Sequence, residues 1–176
     1  MIELLSEKSL DQISVNNLTK LAGLNRGTFY LHYRSISDMM EKITGEIVDE
    51  LNAAIADCDK GDIDDVAYNI TLCIFNFFNE GRDLYTKLFS DRGDQKFVNT
   101  VGSSLRKYTF MAFRDNGLSE FKNGMGAAFV SGGVASAVSE WLVTESTATP
   151  EEMAKLLSEI ILGKYDFFHK EDSSRI

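Results

Sequence analysis

Asn25, Arg26, Thr28, Tyr30 and His32 stand in one short run, and each carries a hydrogen-bond donor. At helical spacing they fall on the face away from Leu18, Ala22, Leu24, Phe29 and Tyr33, which are expected to turn inward. Donors of this kind suit phosphate oxygens and the edges of bases. Gly27 lies among them, and Ser14 opens the element before. Together they make up the candidate DNA-binding set: Ser14, Asn25, Arg26, Gly27, Thr28, Tyr30 and His32.

Such residues need a rigid mount, and the surrounding sequence predicts one. Ser14 is placed to cap a first short helix, and Gly23 can take the left-handed conformation that ends it. Asn25 can cap a second helix running to about Tyr33. Two short helices joined by a glycine-containing turn form the helix-turn-helix, whose second helix enters the major groove of DNA. Before it, Ile2, Leu4 and Leu5 look like the tail of a helix that should begin further upstream, two turns being little to cover the motif.

Charge supports the motif only locally. Residues 12–37 contain no acid and carry Lys20, Arg26 and Arg34, yet the whole chain has a formal net charge of -9. A DNA contact is therefore a local basic face on an acidic body, with attraction that depends strongly on salt. A second acid-free stretch, 95–114, holds Lys96, Arg106, Lys107 and Arg114 and reads as a helix with a solvated basic edge.

The 176 residues can bury a real core, and a single proline favours long unbroken helices. No apolar run approaches bilayer length, and no signal peptide opens the chain. Cys58 and Cys73 have neither CxxC spacing nor a paired histidine, so buried thiols in a reducing cytoplasm are the expectation. His32 and His169 are too few for a histidine-rich metal site, and no phosphate loop or nucleophile elbow is present. Neither an enzyme nor a cofactor is expected.

Ser35 and Asp38 predict a capping box for a long helix from Ile36 to about Cys58, with Met39, Met40, Ile43, Ile47, Leu51 and Ile55 on one face. The segment from Ile63 to Phe78 is apolar nearly all round and should be a central helix. Shorter helices follow over about 82–89 and 95–113, then a long one from Leu118 to about Thr144. Thr149, Pro150 and Glu152 open a final helix expected to run through Ile161 to Phe168. The fold class is all-α. A three-helix head (residues 1–45) precedes a helical bundle for ligand and dimer contacts (46–170) and a polar tail (171–176).

Small residues crowd the long late helix. Each interior glycine costs about 1 kcal/mol relative to alanine, which close approach of another helix would offset. A pairing with the last helix, stacked on a second copy, gives the candidate dimer residues Gly124, Ala128, Gly132, Ala135, Leu157 and Ile161. Phe75, Phe78, Tyr108, Met111 and Phe113 are candidates to line a small-molecule pocket, or else plain core.

Residues 24–33, Leu-Asn-Arg-Gly-Thr-Phe-Tyr-Leu-His-Tyr, resemble the recognition helix of the TetR family of bacterial transcriptional regulators, and 18–23 match its helix and turn. Residues 129–133, Trp141 and 150–154 are similar to a C-terminal subtype that includes regulators of dihydroxyacetone kinase operons. The resemblance implies a homodimer on a palindromic double-stranded DNA operator, with a small-molecule effector in the body. It also implies that Arg26, Thr28, Tyr30 and His32 meet the DNA. Two departures stand out. Ile36 replaces the lysine that usually opens the fourth helix, and the basic arm upstream is absent. A ligand-responsive repressor and a coactivator or sensor acting through a protein partner both fit.

Overall fold

A computed structural model describes residues 1–58, 63–90, 93–112, 117–144 and 146–165. Among these, nine α-helices and a 3-10 turn form the fold, and no strand occurs. The helices are α1 (Ile2–Glu7), α2 (Val15–Leu21), α3 (Arg26–His32), α4 (Ile36–Cys58) and α5 (Ile63–Glu80). They continue with α6 (Arg82–Phe89), α7 (Gln95–Ala112), α8 (Glu120–Val143) and α9 (Pro150–Ile161).

α4 begins in the head and ends in the body. Its buried residues, Ile36, Met39, Met40, Thr44, Ile47, Leu51 and Ile55, recur every three or four positions, which aligns them on one face. Leu51 and Ile55 are fully enclosed, and burial of side chains this size contributes about 1.5–3 kcal/mol each.

α5 is the central helix that its all-round apolar sequence predicts: α9 lies along it, α4 packs on a second side, and α6 and α8 touch it too. Below it runs a chain of rings. Phe78 meets Tyr85 edge-on at 4.9 Å and Phe89 at 5.5 Å, and Phe89 meets Phe97 at 5.4 Å. α6 is pinned to α8 by Arg82, whose guanidinium lies 4.1 Å from the Trp141 ring and donates to the Trp141 carbonyl. Gly93 precedes α7 where a Cβ would strike the Leu88 carbonyl, so only glycine fits there.

Several expectations are corrected. α1 packs chiefly on α6 of the body, as two turns too short to cover the helix-turn-helix would. Ala22 and Leu24 stay exposed instead of turning inward. α9 lies on α5 and barely touches α8, its expected partner. It stops at Ile161, where Gly163 turns left-handed at φ 67°; Phe168 and the tail lie outside the described residues. By length and composition α8 also meets the measure of a bilayer-crossing helix, with mean hydropathy 1.3. That value reflects an apolar outer face, described below, which exceeds what the core requires.

Candidate nucleic-acid interface and body cavity

The head is locked by short-range bonds that its sequence dictates. Ser14 Oγ accepts from the Asn17 amide at 3.1 Å, and the Ser14 amide donates back to Asn17 Oδ1 at 3.2 Å. Gly23, at φ 64°, ends α2, and the Leu24 amide donates to the Thr19 carbonyl at 2.8 Å. Asn25 Oδ1 then accepts from the Gly27 amide at 2.8 Å and caps α3.

Phe29 is the one buried side chain of α3, held edge-on to Tyr30 and tilted on Tyr33 at 5.5 Å in each case. One anchor fixes the helix while its remaining surface faces out. Ser14, Asn25, Arg26, Gly27, Thr28, Tyr30 and His32 are all exposed, so the predicted set is presented together. Within it, Ser14 and Asn25 spend their side-chain oxygens on caps, which makes them positioning residues.

Two residues of this surface were missed by the sequence reading. Leu31 is 82% exposed, because two residues on from Phe29 is about 200° around the helix. An apolar side chain there suits a thymine methyl group. Lys42 ties α3 to α4: its ammonium donates to the His32 carbonyl at 3.0 Å, lies 5.2 Å from the Tyr33 ring and pairs with Asp38 at 3.6 Å. The Asp38 carboxylate also accepts from the Arg34 amide at 2.8 Å. That bond leads the causes that hold its pKa below the ordinary value, with the Lys42 and Arg34 charges adding to it. The i,i+4 pairing of Asp38 with Lys42 was the available signal. Ile36 is buried at the start of α4, so the helix presents no cation at that position.

In the body, a cavity of about 330 Å³ lies between α8 and α9, with α5 and α7 as its other walls. Ile55, near the end of α4, also reaches it. Of the residues expected to line a pocket, Tyr108 does so. Phe75 and Phe78 are instead solid core, Phe75 lying edge-on to Trp141 at 5.1 Å, while Met111 is 59% exposed on the far side of α7. Phe113 lies outside the described residues. The walls that sequence reasoning missed are mostly aliphatic, and their periodicity is that of any core helix.

α8 also turns an apolar face outward. Phe121 is 75% and Phe129 80% exposed, with Met125 between them, and Gly124, Gly132 and Gly133 have no atom within 4 Å of where a Cβ would stand. No neighbour within the protomer therefore requires those glycines. Gly124, Ala128, Gly132 and Ala135 all have some exposure, whereas Leu157 is buried inside the protomer and Ile161 lines the cavity.

No curated protein matches the sequence significantly. Solved structures share the fold, among them the following three. The dihydroxyacetone kinase operon activator DhaS superposes with a TM-score of 0.63 at 15% identity, covering 93% of this chain and 90% of that one. The fatty acid degradation regulator FadR of Bacillus halodurans gives 0.67 at 16%, covering 96% and 93%. FadR of Bacillus subtilis, in complex with stearoyl-CoA, gives 0.65 at 14%, covering 94% and 95%. The profile of the tetR family of bacterial regulatory proteins matches residues 2–43, and that of a transcriptional regulator C-terminal region matches 65–163. With its helix-turn-helix and its body both accounted for, the chain belongs to the TetR family of transcriptional regulators.

Proposed function

We propose that this protein is a ligand-responsive repressor, a cytoplasmic homodimer that binds a palindromic operator and is not an enzyme. The carrying observation is α3, a capped helix with Phe29 as its one buried side chain and Lys42 tying its end to α4, with its donors and Leu31 left to the solvent. Its N-terminal residues are those that reach base edges when such a helix lies in the major groove. The outer face of α8, with Phe129 and Gly132, supports pairing with a second copy. A small molecule in the body cavity then shifts the pair toward a head separation that no longer fits the half-sites. Stearoyl-CoA, held by the Bacillus subtilis regulator, is highly charged, and no described residue of the cavity wall here carries a charge to match it.

A second reading has one specific support: Ile36 removes a cation from the start of α4, which favours a coactivator or sensor that works through a protein partner. Titration of labelled operator DNA by fluorescence anisotropy across salt concentrations separates the two. A repressor binds its operator at least about 10³-fold tighter than random duplex, with affinity falling steeply as salt rises. Equal, weak binding to both duplexes refutes the repressor.

A further inference from the structure

Four hydroxyl side chains stand in the wall of the body cavity, those of Thr71, Tyr108, Thr109 and Ser131, and the three aliphatic ones have their protons committed. Thr71 Oγ1 donates to the Ala67 carbonyl at 2.6 Å, Thr109 Oγ1 to that of Leu105 at 2.8 Å, and Ser131 Oγ to that of Ala127 at 2.6 Å. Each bond runs back four residues along the hydroxyl's own helix. A hydroxyl that donates in this way keeps its lone pairs, so what these groups offer an occupant is acceptors. At these three groups an occupant that only accepts must take a proton away from a bond already made, gaining one hydrogen bond and losing another. One that donates gains a bond at no such cost.

Charge and size narrow the class further. None of the described lining residues is charged, and a carboxylate, phosphate or ammonium placed there would lose its water without a counter-charge. At about 330 Å³ the cavity lies at the small end of the range for ligand pockets, which suits a small molecule.

We infer that the cavity is a binding site for a small, uncharged, mostly apolar molecule that carries a hydrogen-bond donor, such as a phenol or an alcohol. This assigns a ligand class to the effector site and so rests on the reading proposed above.

Calorimetry on the full chain with three matched probes tests it: para-propylphenol, its methyl ether and para-propylbenzoate. The phenol should bind about ten-fold tighter than the ether, and the benzoate should give no binding heat. In Thr71→Val and Ser131→Ala, alone and combined, the preference for phenol over ether should shrink toward unity while the ether's own affinity holds. The single variants keep the test open should the double variant misfold. An ether that equals the phenol, a benzoate that binds tightest, a preference that survives both substitutions, or no binding by any probe overturns the inference. Operator affinity is measured separately with the phenol present. Binding that leaves DNA affinity unchanged supports the ligand class and refutes the effector role.

Discussion

Arg26→Ala offers the sharpest test of how the head reads DNA. Arg26 is the first residue of α3, exposed, and carries no side-chain hydrogen bond or ion pair among the described residues. Its loss therefore removes nothing that holds the fold, and the thermal midpoint should not move. A homodimer loses two such side chains at once. An arginine bound bidentately to a guanine edge is worth about 1–3 kcal/mol, so two heads lose about 2–6 kcal/mol, the smaller figure being about thirty-fold in affinity. That loss should fall mainly on one base pair of each half-site. A contact to phosphate alone behaves differently. It weakens all sequences alike and lowers the slope of log K against log salt by about 1.8 for the pair. Anisotropy with the operator and single-base variants, at several salt concentrations, distinguishes these outcomes. Unchanged affinity for the operator refutes the assignment of Arg26 to the interface, and a lowered thermal midpoint refutes its independence from the fold.

Gly132→Leu should leave the protomer folded, since its Cβ position is open, yet break the dimer; sedimentation showing an intact dimer would place the interface elsewhere. Gly93→Ala should cost about 1–3 kcal/mol in denaturant unfolding, because the new methyl meets the Leu88 carbonyl, and a neutral result would mean that the turn relaxes freely. Burial first, then the hydrogen bond and charge of Cys58, push the Cys73 thiol up to about 12, and burial likewise raises Tyr85. Both groups hold their protons longer in the folded chain, so stability is full below about pH 9 and falls as pH climbs toward 12. Unfolding midpoints that rise across that range would contradict this.

The head was legible because its signals are local. Ser14, Gly23 and Asn25 act within a few residues of themselves, and a capping residue or a left-handed glycine is recognisable without knowing the rest of the fold. Phe29 was equally plain, as the apolar position in a run of donors. Leu24 was not, since whether it is covered depends on where α1 goes, and α1 found α6 instead. The same limit applied in the body. Phe75 and Tyr108 are both aromatic and both on buried helices, but one meets Trp141 and the other lines the cavity. Only the packing of α5, α7, α8 and α9 decides between them. Periodicity predicted that α9 is amphipathic without saying which helix it would choose.

α4 has a mechanical corollary. Ile36 sits in the core beside the head and Ile55 in the cavity wall, about 28 Å apart along one helix. The chain's single proline is elsewhere, at Pro150, so α4 carries no proline kink and can serve as a straight lever. A tilt of about 5° pivoted at the cavity end carries the head end through about 2.4 Å. In a two-fold pair with opposed shafts, the displacements add to about 5 Å, against half-sites set about 34 Å apart. Under the proposed function, an occupant of the cavity that tilted α4 by this much would put two reading heads out of step with one turn of DNA.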